Sequence, residues 1–306
     1  MKRIYIFILL LFSLSAYSQQ DPLFTQYMFN KLVVNPAYAG SREILTFDIL
    51  DRAQWIGIEG APRTMTISAH TATLNRKVGL GIYGYRDQLG PTVSQGLMAT
   101  YAYRIFLERS SFAFGLQGGF KYFDFDWDML KVKHPDDYYF FPHEGKEIVP
   151  DFNVGIYYQS RRFFAGLSSK QLLENEYWWT TSDQGKNSFS RLLRHFYMMT
   201  GAAFPVADRI VFRPSMLAKY VKNAPLQVDL NLSMLFSDFF WIGASFRTQK
   251  ALAFMTEFRI KPKVRLGYSL DIYLNELQPY NYGSHEIRLG FDLPGSGYRM
   301  KTPRYF

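Results

Sequence analysis

The chain has 306 residues, a formal net charge of +9 and no cysteine, which excludes disulfides, thiolate chemistry and lipid attachment at a cleavage-site cysteine. Lysine and arginine are spread along the chain rather than clustered, so there is no basic patch of the kind nucleic acid requires. Aromatic residues make up 18 % of the sequence, and a mean hydropathy of −0.15 is compatible with membrane strands, because half of each such strand is polar.

In chain order, the first feature is Met1-Lys2-Arg3, then an apolar run from Ile4 to Ala16 and the small residues Ala16 and Ser18. A basic start, a short apolar core and small residues at −3 and −1 predict a secretory signal peptide over 1–18, cleaved after Ser18 on export by the Sec pathway. The run is shorter than the roughly 20 residues that a membrane-spanning helix needs. Residues 19–42 are mixed in composition and predict a short helix around Thr25–Leu32, broken at Asn35-Pro36. This segment either enters a lumen as a plug or stays in the periplasm.

From 43 to 293 the dominant signal is alternation. Val228, Leu230, Leu232, Met234 and Phe236 fall on one face, and Gln227, Asp229, Asn231 and Ser233 on the other, as the period of a strand dictates. The same pattern recurs at about fourteen places: 43–52, 64–72, 78–86, 95–105, 111–123, 151–160, 163–169, 195–205, 210–220, 226–236, 239–247, 251–260, 263–272 and 285–293. Connections after even-numbered strands are short, at 73–77, 106–110, 161–162, 206–209, 237–238 and 261–262. Most of those after odd-numbered strands are longer, at 53–63, 87–94, 124–150, 170–194 and 273–284; 221–225 and 248–250 are short where this scheme wants length. The fold class predicted is all-β: an antiparallel transmembrane β-barrel of about fourteen strands, closed last to first, with short periplasmic turns and long external loops. The basic tail 294–306 reads as a flexible periplasmic end.

Motifs that suggest chemistry are few. Gly79-Leu80-Gly81-Ile82-Tyr83-Gly84 matches G-x-G-x-x-G, but it lies inside an alternating segment with no helix after it, so it reads as glycines that ease bending and close packing. Asp124, Asp126 and Asp128 share a face, yet no Gly or Glu completes an EF-hand pattern, and a strand end among aromatics accounts for them. His70, His134, His143, His195 and His285 include no H-E-x-x-H pair, and no G-x-S-x-G elbow is present. A Ser–His–Asp set is spatial and stays open. Tyr138, Tyr139, Phe140 and Phe141, and Trp178 and Trp179, sit in the two longest loops, where they are either partner-binding anchors or girdle and loop-core residues. No catalytic residue, cofactor or metal site is expected.

Two blocks carry a family resemblance. The first is Asp21-Pro22-Leu23-Phe24-Thr25-Gln26-Tyr27-Met28-Phe29-Asn30 with Val34-Asn35-Pro36-Ala37-Tyr38-Ala39-Gly40-Ser41. The second is Tyr282-Gly283-Ser284-His285-Glu286-Ile287. Together with Gln54-Trp55-Ile56-Gly57, Gly60-Ala61-Pro62-Arg63-Thr64, Val78-Gly79-Leu80-Gly81 and the run Trp241 to Arg247, they resemble PorP/SprF proteins, outer-membrane components of the type IX secretion system in Bacteroidetes. The resemblance spans nearly all of the mature chain and is weakest over 124–194. It implies a non-enzymatic outer-membrane barrel that helps secrete or retain a large surface adhesin, in gliding motility or a related role. The implied partners are outer-membrane lipid, the C-terminal domain of the adhesin and other type IX components. Phe24, Gln26, Tyr27, Asn35, Pro36, Gly40, Ser284, His285 and Glu286 are the family-motif candidates for partner or plug contacts. The competing expectations are an outer-membrane channel for a small hydrophobic solute and, on the open triad, a barrel hydrolase.

Overall fold

A computed structural model describes residues 21–126, 129, 146–179, 188–248 and 250–293, with the side chains of 178–179 and 188–190 excepted. The expected signal peptide and its cleavage site, the loop aromatics Tyr138, Tyr139, Phe140 and Phe141, the side chains of Trp178 and Trp179, and the tail 294–306 lie outside the described residues.

The wall begins with β1 (Leu45–Ala53), β2 (Arg63–Ala72), β3 (Val78–Leu89), β4 (Thr92–Phe106), β5 (Ser110–Phe125), β6 (Glu147–Ser160) and β7 (Phe163–Lys170). A small hairpin of β8 (Glu176–Trp179) and β9 (Ser188–Arg191) follows. The wall resumes with β10 (His195–Ala202), β11 (Phe204–Ala207), β12 (Ile210–Val221), β13 (Gln227–Phe236), β14 (Phe240–Arg247), β15 (Ala251–Lys261), β16 (Val264–Tyr273) and β17 (Ser284–Leu293). Sequential neighbours pair antiparallel, β10 pairs with both β7 and β12, and β1 pairs with β17 from Leu45↔Leu293 to Ala53↔His285. With β10 and β11 counted as one stave interrupted at Ala203, the result is a closed antiparallel barrel of 14 strands. Closure leaves no unpaired edge for lipid to meet.

Burial along each strand inverts the pattern of a water-soluble protein. On β13, Leu230 and Leu232 are about half exposed, while Asp229, Asn231 and Ser233 are buried. Ile287 on β17 and Ile67 on β2 face outward, whereas Glu286, Arg288, Thr66 and Ser68 face inward. The outer surface is therefore apolar and the inner one polar, as lipid and a filled lumen require. Near the short-turn end outward aromatics pair across strands, as in Phe47–Phe291, Tyr158–Phe163 and Phe240–Phe258. These form an interfacial girdle.

Three expectations are corrected. The helix over Thr25–Leu32 is absent; Lys31–Val33 and Pro36–Tyr38 form two single 3-10 turns instead. Asn35 caps the second through its side chain, which accepts from the Ala37 N–H, and Pro36 supplies no N–H to continue the first. The connection 87–94 is not long: β3 and β4 extend to a turn at Gly90-Pro91, where Gly90 takes a φ of +54° that only glycine adopts freely. The connection 170–194 is not simply a loop, because β8 and β9 pair within it. Tyr177 of that hairpin stacks on Phe123 of β5 at 4.3 Å, next to buried Val149 and Leu192.

Candidate functional site in the barrel interior

Residues 21–44 lie among the inward-facing side chains of the wall. Nearly every residue from Phe24 to Ser41 is buried, and the contacts reach strands all round the barrel. Small inward positions admit this backbone. A Cβ on Gly115 of β5 would stand 2.2 Å from the Ala37 nitrogen, and one on Gly155 of β6 would stand 2.1 Å from Asn35 Oδ1. Gly79 of β3 packs on Ala39 in the same way, so this glycine of the G-x-G-x-x-G pattern serves close packing.

Polar anchors fix the segment along its length. At the long-loop end, Lys170 Nζ lies 2.6 Å from Asp21 Oδ2, and Gln171 Nε2 and the Tyr197 hydroxyl also donate to that carboxylate, at 2.8 and 3.0 Å. Burial pulls the Asp21 carboxyl up, but Lys170 foremost, then His195, Lys121 and Lys219, hold it well below the usual carboxylate range. Next, the Thr25 and Gln26 N–H groups donate to the two oxygens of Glu286, at 2.9 and 2.8 Å. The Thr25 hydroxyl donates to Asp271 at 2.7 Å. Arg52 bridges both acids, 2.7 Å from Asp271 and 3.1 Å from Glu286, and Arg247 joins Asp271 to Asp229. Every member of this network is almost wholly buried. Hydrogen bonds and opposite charges together satisfy groups that burial alone would make costly.

Further along, Asn30 Nδ2 donates to Ser68 at 2.8 Å. Lys31 sits over the rings of Phe164 and Tyr38, at 4.5 and 5.1 Å, an arrangement favourable to a desolvated cation. Asn35 Nδ2 donates to the Ile156 and Leu167 carbonyls, and Ser168 donates to the Val34 carbonyl at 2.7 Å. The Gly40 N–H donates to His70 Nδ1 at 3.1 Å. A second ionic network closes the short-turn end. Arg288 contacts Asp48 and Glu257, Arg265 lies 3.0 Å from Asp292, and Arg42 lies 3.1 Å from the same carboxylate.

Chemically, this arrangement holds charge in fixed pairs and fills space. Among the described residues no group of three His, Asp or Glu side chains is placed to hold a metal ion. The described histidines have structural partners: Gly40 for His70, the Leu193 carbonyl for His195 and Tyr268 for His285. Asp128, His134 and His143 lie outside the described residues.

Of the family-motif positions, Phe24, Gln26, Tyr27, Asn35, Pro36, Gly40, Ser284 and Glu286 are all buried within the barrel. His285 is separated from its neighbours by strand alternation and bonds Tyr268 on the outer face, at 2.7 Å. Sequence reasoning missed the connected set Arg52, Asp271, Arg247 and Asp229 and, in the second network, Asp48 with Arg288 and Arg265. Their only local signal was a charge on the polar face of a strand, and register across the sheet is what joins them.

The family described as "Type IX secretion system membrane protein PorP/SprF" matches residues 16–291. No match was found among curated proteins. Among solved structures, the toluene transporter TbuX of Ralstonia pickettii aligns with a TM-score of 0.52 at 8% identity, covering 86% of this chain and 93% of that one. The CymD monoaromatic hydrocarbon channel aligns with a TM-score of 0.52 at 11% identity, covering 92% and 95%. At such identities the likeness is one of fold.

Proposed function

Because the chain belongs to the PorP/SprF family of type IX secretion membrane proteins, we propose that it is a non-enzymatic outer-membrane component assisting the secretion or surface attachment of one large adhesin. The observation that carries this reading is the interior itself. The family-motif block Asp21–Ser41 lies among the inward-facing side chains and is tied to the wall by the Asp21–Lys170 ion pair and by buried hydrogen bonds from Thr25 and Gln26 to Glu286 and Asp271. Such a barrel acts as a lipid-anchored platform with residues 19–42 as its plug, and not as an open aqueous pore. The long connections at 126–146 and 171–194 then offer the C-terminal domain of the adhesin a docking surface, with the short-turn end left to other secretion components. On this reading the source is a Bacteroidetes cell, the cargo is of the gliding type or related to it, and the signal 1–18 is removed on export.

Deletion of the gene should abolish surface display of one adhesin and leave small-solute permeability nearly unchanged. Replacing 130–146 by a short Gly/Ser linker should keep the barrel in the membrane and lower display, since loops tolerate exchange better than strands. Normal display in the deletion strain, with no paralogue compensating, rejects the secretion role. A second reading, passage of a small hydrophobic solute with the plug as its gate, draws on the hydrocarbon-channel descriptions of the structural neighbours. Uptake of such a solute into liposomes that carry the barrel would support it.

A further inference from the structure

The outer wall carries a built concavity. Outward positions form rows across the sheet, set by register: Ile49↔Ile67, Ile67↔Gly84, Gly84↔Leu97 and Leu97↔Phe120. Every member of this row is a large apolar side chain except Gly84. Over this glycine lies an open concavity of about 650 Å³, within the range of small-molecule sites. Ile67 and Leu97 wall it, at 3.3 and 3.7 Å from where a Cβ on Gly84 would stand. One row toward the short turns, exposed Ile82 stands between Ala69 and Ala99 in the apolar belt.

One row toward the long loops the chemistry changes. Arg86 pairs with Met65 and Gln95, and Gln95 with Tyr122. Arg86 is exposed and donates to Gln88 at 3.2 Å. Beyond it Arg63 pairs with Gln88 and is held by the Asp51 carboxylate at 2.9 Å, so Arg86 is the cation the rim offers to a ligand. Two residues along a strand span about 6.7 Å, so a cation and amide donors stand one short step above an apolar trough. A guanidinium on the outer face of a barrel is tolerated near the headgroups and not at the midplane. Arg86 therefore marks the headgroup depth of the leaflet on the long-loop side.

We propose that this trough binds one molecule of phosphorylated glycolipid of the outer leaflet, lipid A. An acyl chain lies over Gly84 between Ile67 and Leu97, and a phosphate meets Arg86 with Gln95 and Tyr122 beside it. Charge complementarity at the rim and apolar depth below it together specify an anionic amphiphile with chains, which neither a free phosphate nor an uncharged lipid satisfies. The site lies on the outer face of the wall and makes no use of the plug or the loops.

The test is native mass spectrometry of the purified barrel, released from detergent after incubation with lipid A, phosphatidylglycerol or phosphatidylcholine. The wild-type protein should retain one lipid A, in preference to both phospholipids. Gly84→Phe, which fills the trough from its floor, and Arg86→Gln should each lower retention at least tenfold. Leu232→Phe, on the wall far from the trough, should leave it unchanged. Equal retention by the wild type, Gly84→Phe and Arg86→Gln would overturn the proposal, as would equal retention of phosphatidylglycerol. A dimer mass lost on Gly84→Phe would assign the trough to a second copy instead. If Gly84→Phe gives no heat-modifiable folded band, Arg86→Gln decides alone, and unchanged retention there sinks the site.

Discussion

Leu230 and Asn231 are adjacent in sequence and opposite in environment. Leu230 is 49% exposed to the lipid side, and Asn231 is 1% exposed inside the wall. Leu230→Arg places a guanidinium against acyl chains near mid-strand, at a cost of about 2–4 kcal/mol. Asn231→Ser removes the donor to the Ala244 carbonyl and leaves a small gap, for about 1 kcal/mol. The folded fraction, read as heat-modifiable mobility after refolding into lipid, should fall sharply for Leu230→Arg and little for Asn231→Ser. Equal yields would mean that the assigned faces are wrong.

At the scale of elements, the inserted segment is held by anchors of unequal strength. Glu286 accepts from the Thr25 and Gln26 N–H groups and pairs with Arg52. Glu286→Ala leaves those donors unsatisfied and Arg52 with one acid fewer, and removal of one partner from a buried pair costs about 3–5 kcal/mol. The wall is supported by its own ladders, so the expected result is a barrel that still inserts but whose segment becomes sensitive to protease at Lys31. Protection equal to wild type would show that Asp21 and Asn35 hold the segment without Glu286. The alternation that predicted the strands says nothing of this. Mixed composition over 19–42 suggested a helix, because local apolar spacing cannot report that the backbone groups of Thr25 and Gln26 find a carboxylate 261 and 260 residues away.

For the whole molecule, closure and filling are separate facts with separate consequences. Closure comes from the nine residue pairs between β1 and β17. Filling comes from a segment that belongs to no stave. Removing 21–42 should therefore preserve insertion and raise conductance in a planar bilayer well above the low value expected of the intact chain. Loss of insertion would mean that the segment is also needed to assemble the wall. An unchanged, low conductance would mean that the ionic networks of Arg52, Arg247, Arg265 and Arg288 close the lumen by themselves.

The sequence by itself determined the strands, their two faces and the alternation of short with mostly longer connections, because side-chain direction in a strand repeats every two residues whatever the partner. Ser284, His285 and Glu286 show the same rule at work: one motif is divided between inside and outside by its own alternation. Only the tertiary structure decided what occupies the interior. Asn35 meets Gly155 and Gly166, Gln26 meets Gly267, and Asp21 meets Lys170 and Tyr197. Each is a contact across more than 100 residues, created by barrel closure. The physical reason is that strand register and closure, and not any local spacing, bring these side chains to one place.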